Sequence, residues 1–215
     1  QQDLHVIFEE IQALVLGGGK RLRQQFSHWG WVAAGGDPAA PESTHIGAAI
    51  ELLHAAALFH DDIIDDADTR RSRQSTHKGF SANHSTNGWV GESRRYGEGS
   101  AILIGDITYV VSDSLTDSLS PAARLIWHDL RLEMNIGQYL DVLGSARQTR
   151  DVAEADLICR MKSAKYTIER PLHLGAVAAD PGRGSALMPM LSAYGLPLGD
   201  AFQMRDDILL SLIHI

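Results

Sequence analysis

The chain has 215 residues, and its 27 acidic and 19 basic side chains give a formal net charge of −8. This balance excludes a typical nucleic-acid-binding protein, which presents a surplus of Lys and Arg to phosphate groups. Hydrophobic residues make up 44% and charged residues 21% of the chain, values typical of a folded domain. We expect a single domain over 1–215. The longest apolar run, 101–111, is interrupted by Asp106, whereas a membrane span needs about 18 apolar residues; we therefore expect no membrane span.

Cys159 is the only cysteine, so the chain can form no intramolecular disulfide. This suits a reducing compartment, and we expect a cytoplasmic location. The sequence begins at Gln1, on residues that already have helical spacing. We therefore expect the true start of the protein to be missing.

Apolar residues recur at three- and four-residue spacing along most of the chain, and no stretch alternates as a strand would. The pattern predicts an all-α protein. The predicted helices cover 3–16, 20–34, 42–67, 98–119, 121–144, 151–179 and 184–209. Segment 72–97 is rich in Ser, Gly, Asn and Arg and predicts a functional loop or lid, with a short helix within 76–84.

Between the first two predicted helices, three glycines at 17–19 precede Lys20, Arg21 and Arg23. Flexible backbone and cations at a helix N-terminus predict an anion site. The segment is not a nucleotide-binding P-loop, because the Gly-x-x-x-x-Gly-Lys-Ser/Thr pattern is absent and no predicted strand precedes it.

The predicted helix 42–67 is apolar on nearly all sides, which indicates a buried central helix. Its end nevertheless carries five aspartates: Asp61, Asp62, Asp65, Asp66 and Asp68. At about 100° per residue, His54, Asp61 and Asp65 fall on one stripe. Carboxylates there oppose the helix dipole, so we expect compensating cations. Oxygen ligands at this spacing suit Mg²⁺, and the arginines at 70 and 71 suit phosphate. Together they predict a diphosphate site.

A second acidic pair, Asp206 and Asp207, lies near the end of the chain. Spacing of four aligns Phe202 with Asp206 and Gln203 with Asp207 on a predicted helix. Two acidic helices facing each other would hold a metal cluster that neither could hold alone.

These motifs, in this order, resemble the trans-polyprenyl diphosphate synthases. The resemblance is carried by Gly18 to Arg23, Glu51 to His54, Asp61 to Asp65 with Arg70 and Arg71, Gly137 to Asp141, Lys162 to Ala164, and Phe202, Gln203, Asp206 and Asp207. It covers nearly the whole chain. Segment 162–175 is most similar to bacterial geranylgeranyl diphosphate synthases, particularly actinobacterial ones.

The resemblance implies an isoprenoid-synthase fold, a helical bundle around a central cavity, usually homodimeric and dependent on several Mg²⁺ ions. It implies Mg²⁺ ligands at Asp61, Asp65 and Asp206, with Asp62 and Asp207 in supporting roles. An allylic diphosphate would contact Arg70, Lys162, Gln138, Asp141, Ser163, Phe202 and Gln203. Isopentenyl diphosphate would contact Lys20, Arg23, His54 and Arg71.

Two small residues, Ala56 and Ala57, lie about one turn before Asp61. In this family, bulky aromatic residues there stop the product at farnesyl length, so the alanines predict geranylgeranyl diphosphate or a longer product; tight helix packing is the alternative explanation. Leu210 stands where a third aspartate is expected, and we expect the final helices of the bundle to be absent.

Three alternatives remain open from the residues. His45 and the pair His60 and Asp61 are compatible with a metal-dependent phosphohydrolase, although His60 fits a packing role better. A terpene cyclase would share the fold but would not need a second diphosphate site. Leu210 and the short tail favour a non-catalytic prenyl-diphosphate-binding or partner subunit.

Overall fold

The computed structural model describes residues 2–148 and 151–213, with side chains over 4–148, 151–205 and at 208. The helices are α1 (Gln2–Leu16), α2 (Leu22–Ala33), α3 (Pro41–Ile64), α4 (Thr76–Thr86), α5 (Ser93–Ser114), α6 (Pro121–Arg147), α7 (Val152–Cys159), a π-helix (Arg160–Glu169), α8 (Arg170–Ala179) and α9 (Pro181–Ile213). Two antiparallel two-residue strands, β1 (Thr69–Arg70) and β2 (Arg73–Gln74), form a hairpin between α3 and α4. The predicted all-α class is confirmed.

Two sequence predictions need correction. Segment 72–97 is not a loop: β2 and α4 occupy its first half, and α5 begins at Ser93. Thr76 begins α4, so the short helix expected there is confirmed. The helix predicted over 151–179 is helical over 152–179, but its middle ten residues, Arg160–Glu169, are π-helical. Apolar periodicity does not reveal this change of register.

The described chain forms two compact units. The first contains α1, most of α3, the hairpin, α4 and α5. Along α3 the apolar side chains of Ala49, Ile50, Leu53 and Ala56 are fully buried, which confirms the prediction of a buried helix. Ser112 on α5 donates a hydrogen bond to the carbonyl of Ala49 at 2.8 Å, so a buried hydroxyl fixes α5 against α3.

The second unit contains α2, the start of α3, and α6 to α9 with the π-helix. Helices α2 and α8 pack backbone against backbone, because Gly30 lies against Leu172 and Gly175 lies against Ser27 with no room for a Cβ at either glycine. The core beside this contact consists of Ala34, Ile168, Leu172, Ala176 and Leu191. Among the described residues, no helix is long and apolar enough to cross a membrane.

Candidate functional site

The acidic end of α3 places two carboxylates one helical turn apart. The amide of Asp65 donates to the carbonyl of Asp61 at 2.9 Å, so the helical hydrogen bonding continues to Asp65. The chain then reverses at Asp66, whose φ of 50° is left-handed. Helix α3 therefore ends at Ile64 rather than at the predicted residue 67.

Asp62, which follows Asp61, is buried. It accepts from Arg70 Nε at 2.7 Å and lies 2.6 Å from Arg70 Nη2. The same Nη2 atom is 3.7 Å from Asp61 Oδ2. Asp62 thus positions the Arg70 guanidinium beside Asp61. The supporting role predicted for Asp62 would consist of this contact.

Lys78, on the first turn of α4, neutralises the other two aspartates of the cluster. Its Nζ donates to Asp66 Oδ1 at 2.8 Å and lies 3.4 Å from Asp68 Oδ1. The hydrogen bond from Lys78 lowers the pKa of Asp66, and the same bond raises the pKa of Lys78. The expected compensating cations are therefore Arg70 and Lys78. Lys78 was not among the predicted site residues, and its signal in the sequence is a cation within the predicted short helix 76–84.

The donor set at the end of α3 fits Mg²⁺. Asp61 and Asp65 carry carboxylates one helical turn apart, and Arg70 Nη2 lies 3.7 Å from Asp61 Oδ2. Asp62, Asp66 and Asp68 contact Arg70 or Lys78. Mg²⁺ needs only one or two carboxylates when it is shared with substrate phosphates. Over the described side chains, no group of three or more acidic, His or Cys residues could hold a metal. The predicted ligand Asp206 and its neighbour Asp207 lie outside the described side chains.

Three of the residues predicted for isopentenyl diphosphate belong to the first unit. Arg71 donates from Nη1 to the carbonyl of Leu14 at 2.5 Å. A Cβ at Gly19 would lie 3.2 Å from Arg71 Nη2, so the glycine turn before Lys20 lies against this guanidinium. Gly19 has a φ of 113°, a backbone conformation that residues with a side chain rarely adopt. His54 is half-buried on α3.

The fourth predicted residue for that substrate, Arg23, belongs to the second unit. Its guanidinium lies 4.5 Å from the centre of the Tyr166 ring in the π-helix, a cation–π distance.

A cavity of about 540 Å³ in the second unit brings together four sequence-predicted site residues. These are Asp141, Lys162, Ser163 and Gln203, with Cys159 also in the wall. Lys162 Nζ donates to Asp141 Oδ2 at 2.6 Å. Gln138 lies one turn before Asp141 on α6, and Phe202 is half-buried on α9.

Two glycines permit close approach to the π-helix that carries Lys162 and Ser163. A Cβ at Gly137 on α6 would lie 2.7 Å from the Lys162 amide nitrogen, and a Cβ at Gly199 on α9 would lie 2.5 Å from Ala164 Cα. Segments of π-helix are rare and often occur at functional sites. The position of this π-helix at the cavity is therefore typical of a functional site.

Glu133 on α6 was missed from the sequence. It accepts from Lys165 Nζ at 2.7 Å, and from Arg170 Nε and Nη2 at 2.7 and 2.6 Å. Burial raises the pKa of Glu133, but the hydrogen bonds from Arg170 and Lys165 outweigh burial and lower it below its ordinary value.

The two alanines predicted to set product length differ in burial. Ala56 is fully buried, and Ala57 is half-buried.

His60 Nε2 lies 3.2 Å from the Ile102 carbonyl and 3.4 Å from Asp106 Oδ1 on α5, and its ring packs against Gly105. His60 therefore has a packing role, and His45 is exposed.

The predominantly helical chain thus carries an aspartate pair with Arg70 beside Asp61 in its first unit, and a cavity lined by Lys162 and Asp141 in its second. The polyprenyl synthetase family model matches residues 5–210, and the chain belongs to this family.

Its curated relatives include the geranylfarnesyl diphosphate synthase of Aeropyrum pernix, 31% identical over 91% of this chain and 58% of that protein. The nonaprenyl diphosphate synthase of Mycobacterium tuberculosis is 28% identical over 95% of this chain and 55% of that protein. The chain thus spans little more than half the length of these relatives.

Among solved structures, the geranylgeranyl pyrophosphate synthase of Corynebacterium glutamicum, complexed with isoprenyl diphosphate and magnesium, superposes with a TM-score of 0.87. It is 35% identical, and the match covers 96% of this chain and 60% of that one. The isoprenoid-synthase fold is therefore confirmed.

Proposed function

We propose that this chain carries out a Mg²⁺-dependent condensation of isopentenyl diphosphate with an allylic prenyl diphosphate. The observation that supports this most strongly is the aspartate pair at the end of α3 beside the Asp62-held Arg70. The relative from Corynebacterium, complexed with isoprenyl diphosphate and magnesium, supports the same substrate and metal.

Asp61 and Asp65 would hold the metal, which supplies positive charge to the diphosphate leaving group when bound. Asp206 would add a ligand, with Asp207 supporting it. Arg70 would contact the allylic diphosphate, and Asp62 keeps its guanidinium oriented by two short contacts. Because Arg70 is prepositioned, it stabilises the developing charge without reorganisation.

In the second unit, Lys162 would bind the same class of diphosphate. Its Nζ atom lies 2.6 Å from Asp141 Oδ2, and both residues line the same cavity. Ser163, Gln138, Gln203 and Phe202 would complete the allylic contacts.

The isopentenyl diphosphate contacts would be Lys20, Arg23, His54 and Arg71. This assignment is supported by the position of Arg71 against the glycine turn before Lys20. Arginine supplies a planar donor fork that matches phosphate.

The reaction needs no nucleophile from the protein. The allylic carbon–oxygen bond breaks, and the diphosphate takes the electron pair. The double bond of isopentenyl diphosphate attacks the resulting cation, and the product then loses a proton to the released diphosphate. The residues assigned here bind, orient and neutralise charge.

The product is proposed to have geranylgeranyl length or longer. Half-buried Ala57 lies about one turn from Asp61 along α3, with a methyl side chain that leaves space for a growing chain. Ala56 is fully buried, so Ala57 is the better candidate for limiting chain length.

We also propose that the chain forms a homodimer through α6. Leu125, Leu132, Ile136 and Tyr139 are exposed on one face of this helix. A twofold axis would bury the same stripe from each copy, and continuous exposed apolar surface usually marks an interface. A relative named heptaprenyl diphosphate synthase component 2 makes a different partner chain the alternative occupant.

Light scattering after size exclusion tests the dimer. Leu132→Asp is expected to give the monomer mass, and Val90→Asp, at an exposed valine in the first unit, serves as the matched control. A dimer that survives Leu132→Asp would place the interface elsewhere.

Product analysis tests the function. The protein is incubated with labelled isopentenyl diphosphate, an allylic primer and Mg²⁺, and we expect linear prenyl diphosphates that require the metal. Free phosphate without chain growth would instead indicate a hydrolase, cyclic hydrocarbon a cyclase, and no turnover a binding subunit.

A further inference from the structure

The cations that Glu133 binds are five residues apart in sequence. Lys165 lies within the π-helix, and Arg170 begins α8. In an α-helix, residues five apart point about 140° away from each other around the axis. A π-turn, closed by hydrogen bonds between residues five apart, brings them to the same side.

The backbone joins the same two residues. The amide of Arg170 donates to the carbonyl of Lys165, which is the five-residue hydrogen bond of a π-turn. Glu133 therefore closes a side-chain bridge across this backbone bond, with both carboxylate oxygens in use.

The bridge is well shielded from water. The side chains of Glu133, Arg170 and Lys165 are 17%, 14% and 25% exposed. A charge-assisted fork in such surroundings is stronger than an exposed ion pair. The hydrogen bonds that lower the pKa of Glu133 keep the carboxylate charged.

The same π-helix carries Lys162 and Ser163 into the cavity wall. Changing its register to α would rotate the preceding turn relative to Arg170 and move both side chains. Gly137, one turn after Glu133 on α6, lies against the Lys162 backbone, so α6 contacts the segment at both its ends.

We propose that Glu133 is a positioning residue, which holds residues 165–170 in π register and thereby directs Lys162 and Ser163 toward the allylic diphosphate. The identity of that ligand rests on the proposed function. The register itself does not, so the two can be tested separately.

The experiment compares wild type with Glu133→Gln, which keeps the shape of the side chain and removes its charge. Amide hydrogen exchange over 160–170 reports how stably the backbone hydrogen bonds of this segment are held. We expect exchange in this segment to become at least about 10-fold faster, since the charged bridge is lost. We also expect the KM for the allylic diphosphate to rise about 10- to 100-fold while the KM for isopentenyl diphosphate changes little.

Two further variants sharpen the test. Glu98→Gln breaks a Glu–Arg contact of 2.6 Å with Arg94 on α5, so it controls for loss of an ion pair, and we expect neither effect. Glu133→Asp keeps the charge on a shorter side chain and is expected to restore part of the protection; it also replaces Glu133→Gln if that variant does not fold.

Unchanged exchange over 160–170 in Glu133→Gln would overturn the inference. So would an equal rise in both KM values, because general destabilisation would produce it. If wild type makes no prenyl product, the proposed function fails, while the exchange measurement still decides the role of Glu133.

Discussion

Five aspartates lie at or just beyond the end of α3. Asp62 is buried against Arg70, whose Nη2 atom also lies 3.7 Å from Asp61 Oδ2, and Asp66 and Asp68 contact Lys78. Asp61 and Asp65 are joined by a helical backbone hydrogen bond and lie one turn apart. Sequence spacing predicted this pair, because helical geometry follows from sequence alone. The pairing of the other three depends on the hairpin and α4, whose positions spacing does not give.

We predict that Asp65→Asn lowers kcat/KM by about 100-fold or more, since removing a charge-stabilising group from a reaction centre costs about that much. It should also raise the Mg²⁺ concentration needed for half-maximal rate. Asp68→Asn is the matched control, because Asp68 lies in the same cluster with its side chain 88% exposed. Equal losses in both variants would contradict the assignment of Asp65.

Ala57→Phe should shorten the product by at least one isoprene unit. Its ring would project about one turn, roughly 5.4 Å along the helix, from Asp61 and obstruct the growing chain. Chromatography of the dephosphorylated products measures this. Ala48→Phe, at an exposed alanine on the same helix, should leave product length unchanged. If Ala57→Phe also leaves it unchanged, Ala57 does not limit the chain.

At the scale of elements, the buried helix α3 was predictable and the π-helix was not. Ile50, Leu53 and Phe59 show the helical apolar spacing and are buried as expected. The π register instead depends on Glu133 and on the approach of Gly137, both from α6. The five-residue spacing of Lys165 and Arg170 was its only sequence signal, and that spacing has meaning only once their common partner is known.

Gly137→Ala tests the contact between α6 and the π-helix. Its Cβ would lie 2.7 Å from the Lys162 amide nitrogen and 3.0 Å from Lys162 Cα, so backbone must shift. We expect the free energy of unfolding to fall by about 1–3 kcal/mol, as for overpacked cores. Urea denaturation measures it.

Gly144→Ala on the same helix is the control. Its Cβ would lie 3.4 Å from the mobile end of Ile158, and the better helix propensity of alanine should stabilise the protein by up to about 1 kcal/mol. Equal destabilisation by both substitutions would argue against a specific contact at Gly137.

We predict that His173 on α8 makes the free energy of unfolding depend on pH. Burial lowers the pKa of its imidazole below the ordinary 6.5, against an opposing effect of Glu169. Its Nε2 lies 3.2 Å from the Met188 carbonyl and 3.1 Å from Ser192 Oγ. Below 6.5 the unfolded chain binds the proton first, so stability falls as pH falls through 6.5 and levels off below the folded-state pKa.

Urea midpoints measured from about pH 7.5 to about pH 5.5 test this linkage. We expect the midpoint of wild type to fall more steeply with decreasing pH than that of His173→Gln. The two slopes are compared, so an overall loss of stability in the variant does not matter. Parallel slopes would show that His173 does not titrate differently in the folded and unfolded states.

At the scale of the whole molecule, the order of motifs predicted the family and the helical fold, because each motif combines local chemistry with helical spacing. The structure also shows which carboxylate contacts each substrate-binding candidate. Arg70 contacts Asp62 in the first unit, and Lys162 contacts Asp141 in the second. Sequence could not supply these partners, since each pair joins residues that only the fold brings together. The 27 acidic side chains include the carboxylates of these pairs.

The proposed function requires that the allylic diphosphate bind together with Mg²⁺ at Asp61 and Asp65. Isothermal titration calorimetry with a non-ionisable allylic thiodiphosphate, first with Mg²⁺ and then with excess EDTA, measures this binding. We predict saturable binding with the metal and its loss in EDTA, because uncompensated carboxylates repel a diphosphate. Equally tight binding in EDTA would contradict the claim.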